Sequence, residues 1–107
     1  MSGPTLSVIL PNYNHARYLS EAIEAIASQS HAADEFLILD DASTDNSLEI
    51  IEKFQKRYSQ IRVLRHEQNR GVLEANRRLF EEARGDYVFA AAADDIFQQG
   101  HVELFEE

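Results

Sequence analysis

Short apolar runs alternate along this chain with segments whose apolar residues recur every three or four positions. The runs are Leu6 to Leu10, Glu35 to Leu39, Ile61 to Arg65 and Tyr87 to Ala93. Such runs are typical of strands, and the spacing between them predicts amphipathic helices. The chain therefore predicts three strand–helix units, a fourth strand and the start of another helix. This order indicates βαβ units and a mostly parallel sheet, in a three-layer α/β/α fold.

Proline and glycine residues are expected to shape these elements. Pro11 has no backbone N–H to give to a sheet ladder, so the first strand is predicted to stop before it. Gly71 is available for a positive φ, and Gly85 is predicted to cap the C-terminus of the third helix.

The third strand alternates apolar and polar residues, which favours a place at an edge of the sheet. The third helix is predicted to pack inward through Val72, Ala75, Leu79 and Ala83.

Two acidic pairs follow the second and fourth strands: Asp40 with Asp41, and Asp94 with Asp95. In open α/β sheets the ligand crevice lies outside the carboxyl ends of the strands. Crowded carboxylates repel unless a cation or hydrogen-bond donors satisfy them, and such oxygen ligands suit Mg²⁺ or Mn²⁺. One interpretation is a ligand or metal site. The other is that one pair caps the helix that follows while the other pair binds, and residues 42–47, after Asp40 and Asp41, are dense in helix N-cap types.

Tyr13 and Arg70 are further candidates in loops at the same edge of the sheet. Tyr13 could stack on a nucleobase or pack as an ordinary loop aromatic. Arg70, ahead of a helix N-terminus, could meet a phosphate or remain solvated. No glycine-rich phosphate loop and no nucleophile elbow is present. The histidines have no metal-ligand spacing and are interpreted as surface or loop residues: His15, His31, His66 and His101.

The composition narrows the classes of function. A chain of 107 residues has the length of one domain, covering positions 1–107. A net charge of −9 argues against nucleic-acid binding, and a phosphorylated ligand would need a cation to offset this field. The absence of cysteine excludes disulfides and thiolate chemistry. No apolar run approaches the ~20 residues of a transmembrane helix, and no signal peptide is recognisable. A cytoplasmic location is therefore expected. The alternative is that the parent protein is peripheral at the membrane.

Four segments resemble the N-terminal, nucleotide-sugar-binding portion of family 2 glycosyltransferases, which have the GT-A fold. Ser7-Val8-Ile9-Leu10-Pro11-Asn12-Tyr13-Asn14 is similar to the family's S-V-I-x-P-x-Y-N signature. Leu39-Asp40-Asp41-Ala42-Ser43-Thr44-Asp45 is similar to its V-D-D-x-S-x-D segment. Asn69-Arg70-Gly71 resembles its N-x-G turn, and Arg84-Gly85-Asp86-Tyr87 its R-G-x-Y entry into the metal-binding strand. The four occur in the family's order and extend over nearly the whole chain.

The resemblance implies a site for a nucleotide-diphosphosugar donor, a UDP-sugar in many relatives. Tyr13 would stack or pack on the base, Asp41 would accept a hydrogen bond from it, and Asp40 would support that loop. The implied nucleotide-binding residues are Pro11, Asn12, Tyr13, Asp40, Asp41, Arg70 and Asp94.

The resemblance also implies a divalent cation, Mg²⁺ or Mn²⁺, bridging the diphosphate. Asp94 matches the second aspartate of the family's D-x-D motif, and Asp95 is the other candidate ligand. Ala92 stands where the first aspartate of that motif would be. Family 2 enzymes are inverting and need a general base, which is expected beyond Glu107. No catalytic residue is therefore assigned here, and the chain alone is expected to be inactive.

The expected function is sugar transfer by an inverting parent enzyme to a glycan, lipid or other acceptor in cell-surface polysaccharide synthesis. An alternative is a non-catalytic nucleotide-sugar-binding module, which Ala92 favours. A remoter alternative is a response-regulator receiver, which needs an acidic pair after the first strand and a lysine after the last. Here the lysines, Lys53 and Lys56, lie in a predicted helix.

The helical pattern is still running at Glu107, which is typical of a truncated GT-A catalytic domain. The fourth strand is then expected at an edge of the sheet. Because unpaired edges invite self-association, a homodimer is predicted.

Overall fold

The computed structural model describes residues 4–28 and 33–91. The elements are β1 (Leu6–Asn12), α1 (Ala16–Ala27), β2 (Glu35–Asp41), α2 (Ser47–Arg57), β3 (Ile61–His66), α3 (Val72–Glu82) and β4 (Tyr87–Ala90). Within this part of the chain the strands form one sheet in the order β3-β2-β1-β4, and every neighbouring pair is parallel. The predicted α/β fold is confirmed, as is the place of β3 at an edge. No helix in these two ranges is both long and apolar enough to cross a bilayer.

The two faces of the sheet carry separate hydrophobic clusters. Successive side chains of a strand point to opposite faces. Val8 and Leu10 of β1 therefore pack with α1 and α2, whereas Ile9 between them packs with Ala75 and Leu79 of α3. This alternation produces the three layers, because α1 and α2 cover one face and α3 covers the other.

The order of strands places a topological switch point between β1 and β4. The chain runs outward from β1 through β2 to β3 and then returns to the opposite side of β1 as β4. Right-handed crossovers require the connecting helices to change face when this direction reverses, and α3 does so. In open α/β sheets the ligand crevice lies outside the carboxyl ends of the strands at such a switch point.

The prediction that the first strand stops before Pro11 is wrong, because β1 continues to Asn12. The carbonyl of Ile9 accepts a hydrogen bond from the N–H of Ala91, so the odd-numbered residues of β1 face β4. Pro11 shares that side, and the pairing of β1 with β4 ends at Ile9 and Ala90. The missing N–H of Pro11 therefore removes no hydrogen bond to β2.

The third helix differs from its prediction at both ends. Val72 is exposed rather than packed inward, whereas Ala75 and Leu79 are buried as predicted. Gly71 has the expected positive φ, at 93°. Gly85 is not the C-cap, because α3 ends at Glu82 and its C-cap residue is Ala83. Residues 92 and 93, predicted to continue the fourth strand, lie outside the described residues.

Gly85 is required by a close approach of two backbone segments. A Cβ at this position would lie 2.6 Å from Oγ and 2.7 Å from the backbone N of Ser7. The N–H of Gly85 also donates to Ser7 Oγ at 2.8 Å. The turn before β4 therefore contacts β1 directly, and only a residue without a side chain fits there.

Replacing Gly85 with Ala is expected to destabilise the fold by about 2 kcal/mol, because the methyl group must displace the backbone of β1. Urea unfolding followed by circular dichroism measures this change. Ser59→Ala is the control, because Ser59 lies exposed in the turn before β3. Equal unfolding midpoints for the two variants would contradict the proposed steric role of Gly85.

Candidate functional site

A cavity of about 260 Å³ lies at the carboxyl ends of β1 and β2, beside the start of α3. The predicted site residues that line it are Pro11, Asn12, Tyr13 and Asp41. Other lining residues are His15, Asn69, Gly71 and Val72. The structure thus brings the loop after the first strand and the end of the second strand together in one cavity.

Asp40 and Asp41 face opposite sides of the sheet, because they are successive residues of one strand. Both side chains are buried, and the two residues are 4% and 2% exposed. Asp40 lies outside the cavity, and Asp41 is part of its wall. Donors of the protein itself satisfy both carboxylates, which is the second of the two ways in which such a pair can be stabilised.

Asp40 joins the loops that follow β1 and β2. Its Oδ1 accepts hydrogen bonds from Asn12 Nδ2 at 3.1 Å and from Ser43 Oγ at 2.7 Å. Its Oδ2 accepts one from the N–H of Ser43 at 3.0 Å. Asn14, with a φ of 56°, extends this contact, because its Oδ1 accepts from the N–H of Thr44 at 2.8 Å. These bonds hold Tyr13 between two fixed neighbours.

Asp45 connects the starts of two helices. Its Oδ2 accepts from the N–H of Ala16 at 3.1 Å and its Oδ1 from the N–H of Ser47 at 3.0 Å. Burial acts to raise the pKa of Asp45, but the hydrogen bonds from Ser47 and Ala16 outweigh it and the net pKa lies below the ordinary value. Asp45 therefore satisfies the first backbone N–H of both helices, whereas their N-cap residues, His15 and Asn46, form no side-chain cap hydrogen bond.

Asp41 holds the turn before α3. Its Oδ1 accepts from the N–H of Arg70 at 2.9 Å and its Oδ2 from the N–H of Gly71 at 2.9 Å. His66 Nδ1 lies 2.8 Å from the same Oδ1. Burial acts to raise the pKa of Asp41, but the hydrogen bonds from Arg70, His66 and Gly71 outweigh it, so the net pKa is lowered. The carboxylate is therefore held in its ionised form.

The interpretation of His66 as a surface or loop residue is wrong. It is the last residue of β3, is 8% exposed, and pairs in register with Asp41. Alignment of the carboxyl ends of β2 and β3 could have revealed the contact, since their last residues are then neighbours. His15 is half-buried and lines the cavity, whereas His31 and His101 lie outside the described residues.

Tyr13 and Arg70 are both exposed, but of the two only Tyr13 lines the cavity. Tyr13 is 42% exposed where it lines the cavity. Arg70 is exposed, and its backbone N–H binds Asp41. Asn12 Oδ1 is buried without a hydrogen-bond partner in the described part of the chain. The cavity thus offers an accessible aromatic side chain, whereas Arg70 does not line it and the amide of Asn12 bonds to Asp40, which lies outside it.

The predicted metal ligands, Asp94 and Asp95, lie outside the described residues, as does Ala92. The metal site therefore stays a prediction. In residues 4–28 and 33–91, no group of three His, Asp or Glu side chains is arranged to hold a metal ion. The N–H of Ala91 donates to the carbonyl of Ile9, so the described chain ends beside β1, three positions before Asp94 in the sequence.

The sequence model of Glycosyl transferase family 2 matches residues 7–106. Among curated proteins, the glycosyltransferase GlyG of Streptococcus pneumoniae serotype 4 is 36% identical over 98 residues, which cover 92% of this chain and 33% of GlyG. The chain therefore spans about a third of the length of this relative.

Solved structures show the same fold. The mannosyltransferase PcManGT from Pyrobaculum calidifontis, in complex with GDP-Man and Mn²⁺, has a TM-score of 0.79 and 26% identity. This match covers 87% of the present chain and 28% of PcManGT. Residues 1–349 of TarS from S. aureus, in complex with UDP-GlcNAc, have a TM-score of 0.77 and 30% identity, over 84% of the present chain and 26% of theirs.

Replacing Asp41 with Asn is expected to destabilise the fold by about 2–3 kcal/mol at pH 7, because an amide presents an N–H₂ group to donors of the turn. The folded-state pKa of Asp41 lies below the ordinary 3.8, so its contribution is complete above about pH 4 and is lost as the pH falls further. Urea unfolding at pH 7 and in steps down to about pH 3 measures the difference between the two proteins.

Glu52→Gln provides the control, since Glu52 is an exposed residue of α2. The gap between wild type and Asp41→Asn should narrow as the pH falls, whereas Glu52→Gln should follow the wild type throughout. A constant gap would show that the Asp41 carboxylate does not contribute through its charge.

Proposed function

Because the chain belongs to glycosyl transferase family 2, we propose that residues 1–107 form the nucleotide-sugar-binding part of a longer GT-A catalytic domain. The share of GlyG that the chain covers, 33%, supports this proposal. The parent protein would transfer a sugar from a nucleotide-diphosphosugar to an acceptor, with inversion at the anomeric carbon. A general base beyond Glu107 would deprotonate the acceptor hydroxyl, so this chain would bind nucleotide without turnover.

The cavity of about 260 Å³ carries the proposal of nucleotide binding. Ligand pockets run from roughly 300 to 1,000 Å³, so this one suits a single ring system better than a whole nucleotide sugar. Tyr13 offers a stacking face for a base, and Asp41 Oδ2 accepts one hydrogen bond, from the N–H of Gly71. A uracil or guanine ring, which carries N–H groups on its edge, would donate to the remaining acceptor position of Asp41 Oδ2.

The diphosphate would lie outside this cavity, towards Arg70 and the segment after β4. A chain of net charge −9 opposes an anionic ligand unless local cations compensate. Asp94 and Asp95 would hold the divalent ion, Mg²⁺ or Mn²⁺, which offsets charge on the leaving nucleoside diphosphate. The complex of PcManGT with GDP-Man and Mn²⁺ supports the use of a divalent ion.

A second candidate function is nucleotide-sugar binding without transfer. Ala92 in the first position of the D-x-D motif favours it, because one carboxylate is missing from the expected metal site. Nucleotide binding by the intact parent protein without turnover of any sugar donor would support this candidate. Sugar transfer by the parent protein would exclude it.

A homodimer through the edge of β4 is a further part of the proposal. In the described sheet β4 pairs with β1 on one side and ends the strand order on the other. A strand at the end of a sheet can pair with a second copy. A sedimentation coefficient that corresponds to a monomer at high protein concentration would contradict the proposed homodimer.

Replacing Tyr13 with Ala is expected to weaken the binding of UDP about tenfold, because base–aromatic stacking contributes roughly 1–3 kcal/mol. Tyr18→Ala is a matched control: Tyr18 is also 42% exposed, but it lies on α1 beside Arg17. Amide chemical-shift titration with UDP and with GDP, in the presence of Mn²⁺, measures both affinities. Equal losses in the two variants would argue against stacking, and no binding of either nucleotide would refute the proposed function.

Replacing Asp94 with Ala is expected to abolish the Mn²⁺-dependent part of UDP binding, because it removes the carboxylate that matches the second position of the D-x-D motif. Calorimetric titration with UDP, with and without Mn²⁺, measures that part. Glu52→Ala, on the outer face of α2, controls for the loss of one negative charge. An unchanged Mn²⁺ dependence in Asp94→Ala would place the cation elsewhere.

A further inference from the structure

His66 is a buried titratable residue that nucleotide binding, as proposed above, does not use directly. It ends β3, pairs in register with Asp41 and is 8% exposed. The cavity is lined by Asp41 but not by His66, which instead lines an opening of about 500 Å³ beside Asp40 and Arg65. His66 is connected to the cavity wall through its hydrogen bond with Asp41.

The contact fixes which oxygen of Asp41 remains available. An ionised carboxylate only accepts, so Nδ1 of His66 carries the proton in their 2.8 Å contact. Oδ1 then has two donors, His66 and the N–H of Arg70, whereas Oδ2 has one, the N–H of Gly71. Because each carboxylate oxygen accepts about two hydrogen bonds, Oδ2 keeps the unused position.

His66 is also the donor that links this carboxylate to a second strand of the sheet. The other donors, the N–H groups of Arg70 and Gly71, belong to the turn that Asp41 itself holds. The terminal torsion of a carboxylate is broad, so its plane follows its hydrogen bonds. With His66 in place, its hydrogen bond fixes the plane of the Asp41 carboxylate relative to β3. The orientation of that plane then fixes the turn and the cavity wall.

We infer that His66 is a positioning residue for nucleotide binding: it occupies Oδ1 of Asp41 and so directs Oδ2 to a donor of the bound base. This inference rests on the proposed function. It assigns His66 no contact with the ligand, and the donated hydrogen bond, rather than the bulk of the ring, is the property that matters.

Three substitutions separate the hydrogen bond from the bulk of the ring. His66→Asn places an amide N–H₂ near the position of Nδ1, His66→Gln extends that group beyond it, and His66→Leu removes the donor while keeping an apolar side chain. Tyr58→Phe is the matched control, because the Tyr58 hydroxyl donates to the Glu24 carboxylate at 2.8 Å between α1 and α2. This control removes a hydrogen bond of the same length, also to a carboxylate, away from the cavity.

Two measurements are made on each protein: UDP affinity with Mn²⁺ present, and the amide chemical shifts of Arg70 and Gly71 without ligand. We expect His66→Leu to bind UDP about tenfold more weakly, and His66→Asn to stay within about threefold of wild type. The two amide signals should move in His66→Leu, move less in His66→Asn, and stay in place in Tyr58→Phe. If His66→Leu does not fold, weaker binding by His66→Gln than by His66→Asn is the supporting result.

UDP affinity within twofold of wild type in His66→Leu would overturn the inference, as would equal losses in His66→Asn and His66→Gln. If the wild type binds neither UDP nor GDP, the proposed function fails. The amide shifts then decide on His66 separately: unchanged signals of Arg70 and Gly71 in His66→Leu overturn its positioning role, and shifted signals preserve it.

Discussion

The hydrogen bonds of the Asp41 carboxylate connect the parts of the structure that form the cavity. Through them the end of β2 holds the end of β3 and the turn that begins α3, with donor distances of 2.8 to 2.9 Å. The positive φ of Gly71, 93°, belongs to the same arrangement, because it lets the backbone at this turn place consecutive N–H groups on one side chain. A buried carboxylate without these donors would be costly, so the fold and the cavity wall depend on the same contacts.

The acidic pair at the end of β2 works because a strand turns successive side chains to opposite faces. Asp40 therefore organises the loops on the α1–α2 side, and Asp41 the turn on the α3 side. Their mutual repulsion is offset separately on each face by N–H and O–H donors. Tyr13 follows directly after Asn12, which binds Asp40. Tyr13 and Asp41 line the same cavity, although Asp40 and Asp41 share no donor.

The periodicity of apolar residues was sufficient to predict the strands, the helices and the parallel sheet. A sheet covered by helices on both faces requires continuous apolar runs in its strands and one apolar face on each helix. It did not predict that β1 continues through Pro11, since that depends on which neighbour each residue of β1 faces. His66 was missed for a similar reason: its environment is set by the register between β2 and β3, which one strand cannot reveal. Asp41 was identified as a site residue, but its donors come from positions 25 to 30 residues later and could not be read from the local pattern.

The positions of the hydrogen-bonded aspartates help to explain how so acidic a chain could accept an anionic ligand. Asp40, Asp41 and Asp45 all lie at the carboxyl end of the sheet, where a nucleotide would bind, and each accepts at least one backbone N–H group. Hydrogen bonds to an ionised group offset much of its local field. The repulsive charge at the cavity is therefore smaller than the sequence suggests, and Arg70, which precedes the cavity-lining Gly71, is exposed. A cation held by Asp94 and Asp95 would then have to neutralise chiefly the diphosphate itself, and not the aspartates that build the cavity.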